Sequence, residues 1–202
     1  SYPQASKLTD KSSIKDELKN RGLDIQFDKL LKGGFTSQVY SGILGSEKIV
    51  IKHTEHLIPF DPTEIFLDKE QNNVDAKVLQ LLQNSKEVKV PKVLFHWDDI
   101  TTTIMENTYE KGFSLLNDII IAKTLTTNSA TPIGLSIAKL IKESRKWTNI
   151  KTSLTPEECI YERGLELRLA YPNSQNQFLL LEKEYLTNNQ YYMWPDTHPK
   201  NI

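Results

Sequence analysis

Between residues 25 and 52 the chain passes twice from strand-like runs through turn residues, leaving no room for a helix. Ile25 to Leu31 alternates as a strand and is broken by Gly33-Gly34. Gln38 to Leu44 reads as a second strand and stops at Gly45-Ser46, and a third, Lys48-Ile49-Val50-Ile51-Lys52, begins at once. Strands joined by so few residues cannot return through a long crossover, so an antiparallel meander is the economical arrangement. Before it, Ser13-Ile14-Lys15-Asp16 gives a capping-box start for a helix that Gly22 would end.

After the meander, Asp61-Pro62-Thr63-Glu64 opens a helix, with Asp61 as cap and Pro62 at the first position. Val74, Val78, Leu79, Leu81 and Leu82 recur at helical spacing to about Gln83. Beyond Pro91 come two more strands, Val93 to Trp97 and Thr101 to Glu106, turned at Asp98-Asp99. After Gly112 the sequence reads as helical, near 114–123, 131–147, 155–170 and 174–187, with Thr131-Pro132 and Thr155-Pro156-Glu157-Glu158 as starts. A sheet-rich first half and a helical second half predict an α+β protein with two lobes: residues 1–106, and residues 107–202.

The bulk numbers narrow the function classes. The 202 residues carry 25 basic and 26 acidic side chains. Divided after Glu106, the first part has 14 Lys and Arg against 16 Asp and Glu, and the rest 11 against 10. Neither part is basic enough to make nucleic acid the expected partner. The single cysteine, Cys159, cannot form an intrachain disulfide, and no apolar run is long enough to cross a bilayer. A soluble, cytoplasmic protein without a membrane partner is the expectation, and the opening Ser1-Tyr2-Pro3-Gln4 has no signal-peptide pattern.

Three places carry chemistry. In Lys32-Gly33-Gly34-Phe35-Thr36-Ser37-Gln38-Val39-Tyr40, paired glycines between strands let backbone N–H groups approach a polyphosphate, and Thr36 and Ser37 add hydroxyls. Alone, such a pair is more often simply a hairpin turn. No Gly-Lys-Ser/Thr follows and the next element is a strand, so this is not a Walker A loop. At the end of the third strand, alternation puts Val50 and Lys52 on one face and Ile49 and Ile51 on the other. A lysine there can hold phosphate oxygens while Val50 covers a base. Near the end of the chain, Asp196-Thr197-His198-Pro199-Lys200-Asn201 places a carboxylate and an amide close enough for one loop to present both.

A glycine hairpin, a strand ending in Val-x-Lys, and then a helix bearing an acid resembles the amino lobe of the protein-kinase-like fold. The likeness is to the aminoglycoside phosphotransferase and choline kinase family, in which Gly-Gly-x-Ser/Thr-x-x-Val-Tyr recurs; Gly33-Gly34-Phe35-Thr36-Ser37-Gln38-Val39-Tyr40 matches it position by position. The resemblance implies an ATP-dependent, magnesium-dependent kinase acting on a hydroxyl of a small molecule. It implies a fold with a five-stranded antiparallel sheet and one main helix in the amino lobe, joined to a helical carboxy lobe. It also implies that Lys52 pairs with a helix acid, for which Asp75 in Asp75-Ala76-Lys77-Val78-Leu79 is the match, with Glu70 and Glu64 as alternatives. Gly33, Gly34, Thr36, Ser37, Val39 and Val50 would line the nucleotide, and Met105, Glu106 and Asn107 would form the lobe hinge beside adenine. Asp196 would be the catalytic base and Asn201 a magnesium ligand.

The chain also departs from the pattern. Trp194-Pro195 stands where the family has His-Gly, and His198 is its second histidine, with a structural role. The family's second metal-binding Asp lies beyond the Asn, so the chain is expected to be a piece of a longer protein. A nucleotide-binding pseudokinase is the alternative. His53 and His56 are expected at the surface, and Lys139, Lys142 and Lys146 on a solvated helix face.

Overall fold

The computed structural model describes residues 10–31, 37–54, 70–86, 88–114, 116–124, 126–144, 146, 173, 176–177, 179–180 and 183. The first helix, α1 (Lys11–Asn20), starts earlier than the sequence suggests. Asp10 is the cap: its Oδ1 accepts from the Ser13 N–H at 2.7 Å, and the Asp10 N–H donates back to Ser13 Oγ at 3.2 Å. Ser13 thus plays the reciprocal part of the capping box and not the cap itself. At the other end Gly22 adopts φ 88°, where a Cβ is disfavoured. Its N–H bonds the Lys19 carbonyl and the Leu23 N–H reaches back to the Leu18 carbonyl, closing the helix with a Schellman motif.

Five strands follow: β1 (Ile25–Leu30), β2 (Gln38–Leu44), β3 (Glu47–His53), β4 (Val93–Trp97) and β5 (Thr102–Glu106). They form one sheet in the order β1-β2-β3-β5-β4, antiparallel throughout. The protein is therefore α+β with a five-stranded antiparallel sheet. The meander holds as expected, and the later pair adds β5 beside β3, leaving β4 at the edge. The helix between the two groups, α2 (Glu70–Leu82), lies where the apolar spacing puts it; the expected start at Asp61 is outside the described residues.

One face of the sheet is closed by α1. Ile14 and Leu18, one turn apart, pack with Ile25, Tyr40, Ile49, Ile51, Ile100 and Ile104, and Phe27 meets Tyr40 edge-on at 5.5 Å. Gly42 sits where this packing is tightest. A Cβ there would lie 2.9 Å from the Gln26 carbonyl oxygen and 3.0 Å from Ile51 Cδ1. The helix α2 builds a second, smaller cluster from Val74, Val78 and Leu82 with Val88, Val90 and Leu140.

Past β5 the described residues are mostly helical, as the sequence pattern suggests. A 3-10 turn (Thr108–Lys111) leads to α3 (Leu116–Ile121) and α4 (Thr127–Ser144). Thr131-Pro132 is not a helix start: α4 begins at Thr127 and carries Pro132 inside it. The proline removes the N–H that would bond to the Asn128 carbonyl, a small loss so near the end of a helix. The helix expected at 155–170 lies outside the described residues. Of that expected at 174–187, residues 176, 177, 179, 180 and 183 are helical. Among the described residues no helix is long and apolar enough to cross a membrane.

Candidate functional site

Strand alternation sends Lys52 away from the α1 core. Ile49, Ile51 and His53 are buried on one side of β3, whereas Val50 and Lys52 are half-buried on the other. Register fixes what stands beside them. Lys52 is opposite Val39 on β2 and Thr103 on β5, while Val50 is opposite Ser41 and Met105. Val39, Val50 and Met105 thus share the face from which Lys52 projects, an apolar floor next to one cation.

The lysine meets α2 there. Lys52 Nζ donates to Asp75 Oδ2 at 3.0 Å, with side-chain exposures of 28% and 38%. The structure therefore pairs Lys52 with Asp75; of the alternatives, the Glu70 side chain and all of Glu64 lie outside the described residues. An ion pair this open to water adds only about 0–1 kcal/mol to stability. The chemical interest of the pair lies in what the oriented ammonium can still bind with its remaining donors.

A row of polar groups continues from Lys52 across the sheet. Thr103, buried beside it, pairs with His96, and the hydroxyl lies 2.9 Å from His96 Nδ1. His96 Nε2 is 2.9 Å from Asp98 Oδ1, and Lys77 Nζ of α2 is 3.5 Å from Asp98 Oδ2. Burial pushes the His96 ring below its ordinary pKa, against the opposing pull of Asp98.

The β4–β5 turn holds a buried hub. Thr101 is buried in the left-handed region at φ 44°, where a β-branched residue costs about 1–3 kcal/mol. Its carbonyl accepts from Asn72 Nδ2 at 2.6 Å and from the Thr54 N–H at 3.2 Å. Its hydroxyl donates to the Thr54 carbonyl, and its N–H to the Asp98 carbonyl at 3.3 Å. Asn72 is itself fully buried, and its Oδ1 has no hydrogen-bond partner. Nothing in a Thr-Thr-Thr run or an Asn pair announces such a hub. It exists only once β3, α2 and the turn have come together.

The other expected residues fall in different places. Gly33, Gly34 and Thr36 lie outside the described residues, as do Asp196 and Asn201. Ser37 is at the end of the glycine loop, its hydroxyl 2.8 Å from that of Thr54. Glu106 stands opposite Ile49, so it belongs to the other side of the sheet from Lys52. Its carboxylate accepts from the Lys92 N–H at 3.0 Å and from Lys111 Nζ. Burial alone would raise the Glu106 pKa, but these two donors outweigh it and hold the group below the usual carboxylate range. Asn107 caps the 3-10 turn, accepting from the Tyr109 N–H. The N–H groups of Glu106 and Asn107 are taken by the carbonyls of Lys92 and Lys48. His53 is buried and not at the surface: its Nδ1 lies 2.9 Å from Thr102 Oγ1. A histidine with a hydroxyl partner satisfies one ring nitrogen and fits a core. His56 lies outside the described residues. Lys139, Lys142 and Lys146 are exposed.

Among the described residues no group of three or more His, Cys, Asp or Glu is arranged to hold a metal ion. Comparison with protein-family models and with curated proteins finds no match for this chain.

Proposed function

We propose that the chain is a kinase-like phosphotransferase of the small-molecule type, using ATP and magnesium to phosphorylate a hydroxyl. The observation that carries this reading is the Lys52–Asp75 pair at 3.0 Å beside Val39, Val50 and Met105. It joins a cation restrained by a carboxylate to apolar side chains on which a base could rest, beside a strand that follows the Gly-Gly loop in the sequence. The antiparallel order β1-β2-β3-β5-β4, with α2 supplying the acid, supports a two-lobed arrangement with residues 1–106 as the nucleotide lobe and 107–202 as part of the helical lobe.

In this reading Lys52, restrained by Asp75, binds phosphate oxygens, and backbone N–H groups of the Gly33-Gly34 loop would donate to them as well. At the hinge, the Glu106 and Asn107 amides are already spent on Lys92 and Lys48. Adenine would therefore be recognised through carbonyl groups of Met105–Asn107 or by amides further along. Asp196 accepts the proton of the acceptor hydroxyl as its oxygen attacks the terminal phosphorus, and ADP departs with the bridging oxygen. Asn201 would hold magnesium, which when bound neutralises phosphate charge.

The test is calorimetric titration of the chain with ATP and magnesium, followed by phosphate transfer to a panel of sugars, amino sugars and amino alcohols. Lys52→Ala should abolish nucleotide binding and Asp75→Asn weaken it. Asp196→Asn should abolish transfer with binding nearly intact, because a base acts on the chemical step. A chain that binds no nucleoside triphosphate overturns the reading. Trp194-Pro195, in place of the family's His-Gly, favours one second reading: a pseudokinase that binds nucleotide without transferring phosphate.

A further inference from the structure

We propose that Asn72 is the positioning residue that holds α2 so that Asp75 meets Lys52, an inference that deepens the nucleotide-binding reading of that pair. Asn72 and Asp75 stand one helical turn apart and so project from the same side of α2. Asn72 grips the Thr101 carbonyl at 2.6 Å while its own Oδ1 is left without a hydrogen-bond partner in a fully buried site. A buried acceptor left unpaired is unfavourable, and an apolar residue of similar size would avoid it. What an apolar residue could not supply is the bond to Thr101, so that bond is the reason for an amide at this position.

The Thr101 carbonyl is a fixed target. It also accepts from the N–H of Thr54, which directly follows β3, and the Thr101 hydroxyl returns a bond to the Thr54 carbonyl. The left-handed backbone at φ 44° aims that carbonyl at both donors. A strained conformation survives only where its surroundings over-determine it, and here three elements do so. Helix and strand are therefore tied twice: by Asn72 through Thr101 to Thr54, and by Asp75 directly to Lys52. The second tie is half-exposed and weak by nature. The first is buried, and Asn73 Nδ2 reinforces it with a bond to the Asp98 carbonyl at 3.3 Å. The buried tie sets the helix, and the ion pair follows from it.

The experiment reads the ion pair without reference to activity. Each lysine of the 202-residue chain is acetylated under limiting reagent and its rate followed by peptide mass spectrometry. Asp75→Asn provides the yardstick, a several-fold rise in the Lys52 rate when its partner charge is gone. Asn72→Ala should raise the Lys52 rate to the same level, with other lysines unchanged and the thermal transition still cooperative. Should Asn72→Ala fail to fold, Asn72→Leu keeps the bulk, has no donor, and should expose Lys52 equally. Thr101→Gly keeps the carbonyl and relieves the strain, so Lys52 should remain protected. A Lys52 rate that stays at the wild-type level in both Asn72 variants while Asp75→Asn raises it overturns the proposal. So does an Asp75→Asn chain in which Lys52 is no more reactive. If the Asn72 variants unmask Lys52 but the wild-type chain binds no nucleotide, the positioning role stands and the nucleotide-binding reading falls.

Discussion

The two faces of the sheet are built to different rules. On the α1 side, Ile49, Ile51 and Ile104 are fully buried against Ile14 and Leu18, and the strands on either side add apolar residues to the same cluster, Trp97 of the edge strand β4 among them. On the other side Val50 and Lys52 are only half-buried, and the elements there meet through charges and amides: Lys52–Asp75, Lys77–Asp98 and Asn72–Thr101. One face holds the fold together by removing apolar area from water. The other is half-exposed and joined by polar groups, and it is the face on which the proposed nucleotide site stands.

The sharpest way to break this comparison is to truncate one side chain on each face. Ile104→Ala removes a buried branched side chain from the centre of the sheet and should cost about 2–5 kcal/mol in denaturant unfolding. Lys52→Ala, one position along the register and on the opposite face, should change stability by less than about 1 kcal/mol, because the pair it breaks is half-exposed. Equal costs for the two would mean that the Lys52 face is also structural core, and the division of labour would be lost.

A smaller effect sharpens the same contrast from the opposite direction. Gly42→Ala adds one methyl where a Cβ would lie 2.9 Å from the backbone oxygen of Gln26, an atom that cannot step aside cheaply. Overpacking of this kind should cost about 1–3 kcal/mol. The measurement is the same unfolding curve, with Gly134→Ala as the control, since a Cβ at Gly134 has nothing within 4 Å. A neutral Gly42→Ala would show that β1 and β2 can separate slightly at the Phe27–Leu30 irregularity and that the face is less tightly filled than its burial indicates.

How much of this was legible beforehand follows from the same division. Strand existence, order and the facing of Lys52 could be read directly, because alternation has a period of two and the glycine breaks are sharp. Strand ends moved by a residue, where Glu47 and His53 extend β3 by pairing with Leu44 and Thr102. The Lys52–Asp75 pairing was available only through the resemblance, since nothing in one helix's pattern says which acid a strand seventeen or more residues away will meet. The start of α1 and the interior Pro132 were misplaced because several residues near each end could serve as caps, and packing chooses among them. Asn72, Thr101 and His96 carried no signal at all. Their roles depend on a turn whose backbone strain is invisible until three elements converge on it.

The last prediction uses pH to test the polar face alone. His96 is the histidine of that row, set between the Thr103 hydroxyl and Asp98, with Lys77 of α2 beyond Asp98 and Lys52 next to Thr103. Burial holds its folded-state pKa below the unfolded value of about 6.5. Between those two values the unfolded chain binds more protons than the folded one, so stability rises with pH there. The contribution is therefore present above about pH 6.5 and is lost as pH falls through the folded-state value. Unfolding free energies measured from pH 7.5 down to about 5 should decline gently, and His96→Gln should flatten the decline. Asp98→Asn should steepen it, because that carboxylate gives the largest support to the charged ring, ahead of the Thr102 backbone. His53, buried on the α1 face with a hydroxyl partner of its own, serves as the comparison: His53→Gln should leave the His96-dependent step in place. A decline that vanished in His53→Gln and survived in His96→Gln would move the pH sensitivity to the core face, and with it the claim that the titratable chemistry of this sheet lies on the side of Lys52.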